Sequence, residues 1–178
     1  MSISKQTRQG GFTLLELLLV IGVAALLLIG GIATYRLVSD GNRATESTRL
    51  LLTLRQETSN MAQQQGGNYT GITFNSGASD PASPLVTGGV LRDQQRNAFN
   101  GAIIITPVTN AATDDNVTIS FANVTQSACA KLAQAINNGN EVVSVTVNGT
   151  VLNAFPITAA QASGECDTTT NTIVWQLP

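Results

Sequence analysis

The stretch that decides the fold is Gly10-Gly11-Phe12-Thr13-Leu14-Leu15-Glu16, with the apolar run behind it. Between Phe12 and Tyr35 the only charged side chain is Glu16. A helix needs about 20 predominantly apolar residues to span a bilayer, and this run exceeds that. A carboxylate inside such a run is unfavourable by roughly 2.5–3.5 kcal/mol at the helix centre. It therefore marks a functional position that needs a partner, and the candidate is a neighbouring copy of the same chain.

Upstream, Met1 to Gly11 holds Lys5 and Arg8 and no acid, like the first region of a targeting signal. The order of parts is unusual. A secretory signal carries its small-residue cleavage site after the apolar region. Here the small residues come before it, so cleavage would leave the apolar helix on the mature chain.

Gly11 followed by Phe12-Thr13-Leu14-Leu15-Glu16 and a long aliphatic helix resembles the class III signal of type IV pilins and pseudopilins. The resemblance implies that a prepilin peptidase cuts between Gly11 and Phe12 and N-methylates the new amine of Phe12. It also implies a role in assembly for Glu16, whose carboxylate pairs with the Phe12 amine of a neighbouring subunit. The expected fold is then α+β: a long N-terminal helix, apolar in its first half, packed on a mostly antiparallel β-sheet head with one disulfide. The expected partners are further copies of the chain in a helical homopolymer, prepilin peptidase, an inner-membrane platform protein and a cytoplasmic assembly ATPase. The head would face the periplasm before assembly, with the chain held in the inner membrane, and lie outside the cell in the fibre afterwards.

Downstream of Tyr35, Leu37, Ala44, Leu51, Leu54 and Met61 fall near heptad spacing and line one face. No proline precedes Pro81. One helix is therefore expected over residues 12–65, ended near Gly66-Gly67, with 12–35 in the membrane or filament core. At about 1.5 Å per residue it would be roughly 80 Å long. Gly22, Gly30, Gly31 and Gly41 weaken it locally. They read as close-packing positions or, at Gly30-Gly31, as a place where the helix melts on leaving the membrane.

The head is expected over residues 66–178, behind the leader at 1–11. Glycine and proline make 66–100 a loop with short elements. Over 101–178 come a buried strand at 102–106, an alternating strand at 117–121 and a helix from a Thr125 cap to about Asn137. A hairpin around Asn148-Gly149 follows, then a loop at 158–167 and a last strand at 172–177 carrying a buried Trp175. Four or five strands result. The helix near Cys129 and the final strand resemble the type IVb subclass, whereas the short leader and Phe12 look more like type IVa.

If the head is exported, an oxidising compartment favours a disulfide between Cys129 and Cys166. The alternative is two unpaired buried thiols. The sequence contains no histidine, so Ser-His-Asp and Cys-His arrangements are excluded, and two cysteines alone cannot complete a zinc centre. No metal and no cofactor are expected, and no enzyme activity. Beyond residue 100 the only basic residue is Lys131, so the basic patch of a nucleic-acid binder is missing. Asp80, Asp114 and Asp115 read as solvated loop acids. A major pilus subunit is the first reading, helped by the absence of an added domain before Pro178. A minor pilin or type II secretion pseudopilin is the second, and an uncleaved signal-anchored periplasmic binding domain the third.

Overall fold

The computed structural model describes residues 13–178. It divides into a first unit ending at Val38 and a second spanning Ser39–Pro178, and one helix, α1 (Leu14–Gln64), continues from one into the other. The backbone stays helical through Gly30-Gly31 and Gly41. At the far end the Gly67 N–H donates to the Ala62 carbonyl at 2.8 Å and Gly66 N–H to Gln63 at 3.4 Å. This is the Schellman arrangement, and Gly66, at φ +88°, supplies the left-handed residue it requires.

Within the second unit α1 buries Ala44, Ser47, Leu51, Leu54, Thr58 and Ala62. The steps of three and four keep one face inward. Met61, expected in that stripe, is only half-buried, because the stripe is centred on Leu51 and Thr58 and Met61 lies at its margin. The side chain of Leu37 lies outside the described residues.

The stripe closes one face of a six-stranded sheet, against the four or five strands expected. The strands are β1 (Phe74–Asn75), β2 (Ile103–Val108), β3 (Asn116–Thr125), β4 (Ser144–Val147), β5 (Thr150–Leu152) and β6 (Thr170–Leu177). All pairings are antiparallel, in the order β1-β2-β3-β6-β4-β5. The extra strand is β1, two residues whose pairing with Ile104 and Ile105 leaves no periodic pattern to read. Alternation puts Ile105, Ile119, Trp175 and Val145 in one register row across four strands, all buried. The Phe121 ring meets Trp175 edge-on, with centroids 5.4 Å apart, a favoured aromatic geometry.

Three further helices complete the head: α2 (Pro84–Thr87), α3 (Gln126–Ala133) and α4 (Ala159–Glu165). Helix α3 ends four residues before the expected Asn137. The Asn137 amide is instead engaged with both main-chain polar groups of Ile157. The expected Thr125 cap makes no hydrogen bond to the helix backbone. Helix α4 replaces part of the loop expected at 158–167. Thr158 and Gln161 form a full capping box there, each side chain bonding the other's backbone N–H. Cys129, on the buried face of α3, is bonded to Cys166 at the end of α4.

Gly101 marks the tightest approach. A Cβ there would lie 1.7 Å from the Ala122 carbonyl oxygen. The contact falls where β3 shifts register against β6, between Phe121 and Val124. Asn97 ties the same place together: its Oδ1 accepts from Phe99 and Gly101 N–H groups and its Nδ2 donates to Ala122.

Two outcomes follow for the full chain in detergent. Gly101→Ala forces backbone apart in a packed site and should destabilise the head by about 1–3 kcal/mol, read as a fall in the unfolding midpoint. Cys129→Ala with Cys166→Ala opens a loop of 37 residues and should destabilise by about 4 kcal/mol on the chain-entropy estimate. An unchanged midpoint for either variant contradicts the packing described.

Candidate assembly site

Residues 14–32 form a helical segment of 19 residues that is long and apolar enough to cross a membrane, and none of it is buried among the described residues. Leu14 is 79% exposed and Ile29 69%. A continuous apolar face of this size exceeds what soluble monomers show and calls for a cover. The segment's glycines, Gly22, Gly30 and Gly31, leave open space where a Cβ would be. Thr34 Oγ1 donates to both Gly30 and Gly31 carbonyls, at 3.1 and 3.0 Å, so its hydroxyl is satisfied without water.

Gly11 and Phe12, the residues singled out for processing, lie outside the described residues. The helix start is described. Thr13 stands just before α1, and its carbonyl accepts from Glu16 and Leu17 N–H groups, each at 3.1 Å. Its Oγ1 also accepts from Glu16 N–H at 3.3 Å. Thr13 is thus the N-cap and Glu16 the third residue of the helix, where a carboxylate faces the positive end of the helix dipole. Thr13 adds a position to those expected from the sequence, although Thr-x-x-Glu before an apolar run is the capping-box signature.

In the second unit, polar side chains fasten α1 and its following loops. Ser127 Oγ donates to Asp40 Oδ2 at 2.6 Å. Arg55 pairs with Glu141 at 3.1 Å, the only ion pair among the described residues. Tyr69 donates its hydroxyl to the Pro178 carbonyl at 2.7 Å. Burial pushes the Tyr69 phenol up, and the Arg55 charge pulls it partly back.

The loop acids have structural work. Asp115 accepts from the backbone N–H groups of Asn110, Ala111 and Ala112, and these bonds hold its carboxyl below the usual range. Asp93 is lowered in the same way, first by the Ser79 hydroxyl and then by the Asp80 N–H. Asp114 accepts from Thr70 Oγ1 at 2.9 Å. Two of the three acids read as solvated, Asp114 and Asp115, are therefore staples of the loops they sit in. Among the described residues no cluster of acids and cysteines is arranged to hold a metal ion.

Comparison with known proteins places these features. The family model described as PilS N terminal matches residues 81–177. The prokaryotic N-terminal methylation motif matches residues 6–32, across the helix start. The chain is 28% identical over 150 residues to the toxin coregulated pilin of Vibrio cholerae, covering 83% of this chain and 66% of that one. For the toxin coregulated pilin of a Vibrio cholerae O1 El Tor strain the identity is 26%, with 75% and 61% covered. The chain thus spans somewhat less than two thirds of the length of these relatives. In fold it is similar to a crystal structure of a type IVb pilin from Salmonella typhi, with TM-score 0.52, 21% identity and 76% and 97% of the two chains covered. A type IV pilin from Vibrio cholerae El Tor gives TM-score 0.56, 18% identity and 77% and 99% covered. With a family model over more than half its length, the methylation motif at its helix start and this fold, the chain belongs to the type IV pilins.

Proposed function

We propose that the chain is the major structural subunit of a type IV pilus of the type IVb kind, polymerising through α1 into a surface fibre that serves adhesion, aggregation or conjugative mating. One observation carries this reading: an exposed apolar helix of membrane length whose single carboxylate, Glu16, stands in the first turn behind a threonine cap. Lipid covers that surface before assembly, with the head in the periplasm. Neighbouring copies of the same helix cover it in the fibre, outside the cell.

In this reading prepilin peptidase removes residues 1–11 by cutting between Gly11 and Phe12 and methylates the Phe12 amine. The methylation motif over residues 6–32 supports it. The mature chain is then a helix over 12–65 and a head over 66–178. The bonded Cys129 and Cys166 suit an oxidising compartment. The new amine stays positive after one methylation. Glu16 of one copy pairs with the Phe12 amine of the next. An unpaired charge in an apolar setting is expensive, and pairing offsets that cost. A subunit docked out of register leaves both charges unpaired, so the pair selects the axial step more than it adds stability. The open notches at Gly22, Gly30 and Gly31 support close approach of neighbouring helices. An inner-membrane platform protein and an assembly ATPase supply the mechanical step.

Glu16→Ala should leave processing intact, with a chain beginning at methylated Phe12. Fibre recovered by shearing should fall by about two orders of magnitude, the scale of roughly 3 kcal/mol lost per contact. Wild-type fibre yield from that variant sinks the register role. Gly11→Val should accumulate uncut chain in the inner membrane, and cleavage at the ordinary rate overturns the processing site. Wild-type chain that is processed but never reaches the sheared fraction favours a minor pilin or a type II secretion pseudopilin instead.

A further inference from the structure

The sequence contains three asparagine-glycine pairs, at Asn100-Gly101, Asn138-Gly139 and Asn148-Gly149. Glycine has no Cβ to shield its backbone nitrogen. In such a pair that nitrogen can attack the preceding side-chain amide carbon when both groups are free to meet. The fold treats the three pairs differently.

Asn148 is fixed at both ends of its amide. Its Oδ1 accepts from Thr172 N–H at 3.0 Å, and its Nδ2 donates to the Glu165 carbonyl at 2.8 Å and to Asn171 Oδ1 at 2.7 Å. At Asn100 the nucleophile is engaged: Gly101 N–H donates to Asn97 Oδ1 at 2.9 Å, in the buried approach to Ala122. Asn138 and Gly139 are both exposed, in the turn between α3 and β4. Among the described residues nothing accepts from Asn138 Nδ2, and Gly139 N–H donates to nothing. Asn138 Oδ1 accepts from Asn140 N–H at 3.1 Å. This bond ties the side chain to the backbone of the same turn, across Gly139. It also places a donor on the oxygen that becomes negative when the amide carbon is attacked, the arrangement that stabilises acyl-transfer intermediates.

We propose that Asn138 is a site of spontaneous covalent modification, losing its side-chain amide to attack by the Gly139 nitrogen. Solvent base removes the Gly139 amide proton, and that nitrogen bonds to Asn138 Cγ. The Cγ–Nδ2 bond breaks, and the nitrogen takes a proton and leaves as ammonia, giving a cyclic imide. Water then opens the imide. Opening at Cγ restores the peptide and leaves an aspartate at position 138. Opening at the main-chain carbonyl leaves an isoaspartate, with the chain routed through the side chain. The sum is water in and ammonia out, with one new negative charge. It arises three residues before Glu141, in the turn where the Asn138 carbonyl accepts from both Glu141 and Val142 N–H groups. The isoaspartate route adds a methylene to the main chain of that turn, beside the Arg55–Glu141 pair.

The test is incubation of the full chain in detergent at mildly alkaline pH, followed by peptide mapping with mass spectrometry and isoaspartate detection. Conversion should occur at Asn138 about tenfold or more faster than at Asn100 or Asn148, and should accelerate with pH. In urea the three rates should converge, because the fold no longer separates them. Gly139→Ala gives the second reading: its Cβ would make ordinary contact with Phe155, nearest atom 3.4 Å, so the head keeps its fold while the added methyl hinders attack and slows conversion at Asn138. Equal conversion of the three sites in the folded chain overturns the proposal. So does an unchanged rate in Gly139→Ala, or conversion at Asn148 first.

Discussion

One constraint shapes everything else: α1 carries two different surfaces on one uninterrupted backbone. Its hydrogen-bond ladder runs from Leu14 to Gln64. Over its first 19 residues the side chains are apolar on every side except at Glu16, and none is buried among the described residues. Over the second half only a stripe is apolar, and the sheet covers it. A helix satisfies its own backbone polar groups, so the same element suits lipid, a bundle of its neighbours and a packed head. The polar groups at its two ends fit this need. Thr13 accepts from the Glu16 N–H in the first turn, and Thr34 turns its hydroxyl back onto the Gly30 and Gly31 carbonyls.

The head depends in turn on β6. The last strand in sequence order sits between β3 and β4, and Trp175 and Ile173 lie in the centre of the inner face. The strands before it can pair locally as β2–β3 and β4–β5, but the two halves join only through β6. Such non-local pairing is slow to form, because the loop entropy must be met before the contacts reward it. The Cys129–Cys166 bond lies on the same connection, tying α3 to the residue that ends α4, just before β6. It restricts the span of chain across which β6 must find its place.

What the sequence disclosed and what it hid divide along physical lines. The long helix, the alternating strands and the Asn-Gly hairpin were legible because each repeats a period over several residues. The buried Trp175 was legible for the same reason, since Thr172 to Leu177 alternates. Strand β1 was not, because two residues carry no period and their pairing is set by β2. Ser47 and Thr58 were missed in the core stripe because a polar residue on an apolar face looks like a break, yet both are fully buried. Thr58 resolves this locally, its hydroxyl donating to the Arg55 carbonyl. Helix α4 and the Thr13 cap were missed although both carry the capping-box spacing.

The head is held at its joints by amides more than by charges. Asn97 fastens the start of β2 to β3, Asn123 reaches the Phe99 carbonyl, Asn137 holds Ile157, and Asn171 spans Val124 and Thr168. One ion pair stands beside them among the described residues. Amides donate and accept without titrating, and neutral hydrogen bonds are not screened as surface ion pairs are. The joints made by these amides do not titrate, unlike the loop staples made by Asp93 and Asp115. The same chemistry sets a limit. An amide gripped at both ends, as in Asn148, cannot reorient toward its neighbour's nitrogen; one left at the surface of a turn can. Among the three asparagine–glycine pairs, the one in the turn after α3 is the one in which neither the amide nitrogen nor the glycine N–H has a partner among the described residues.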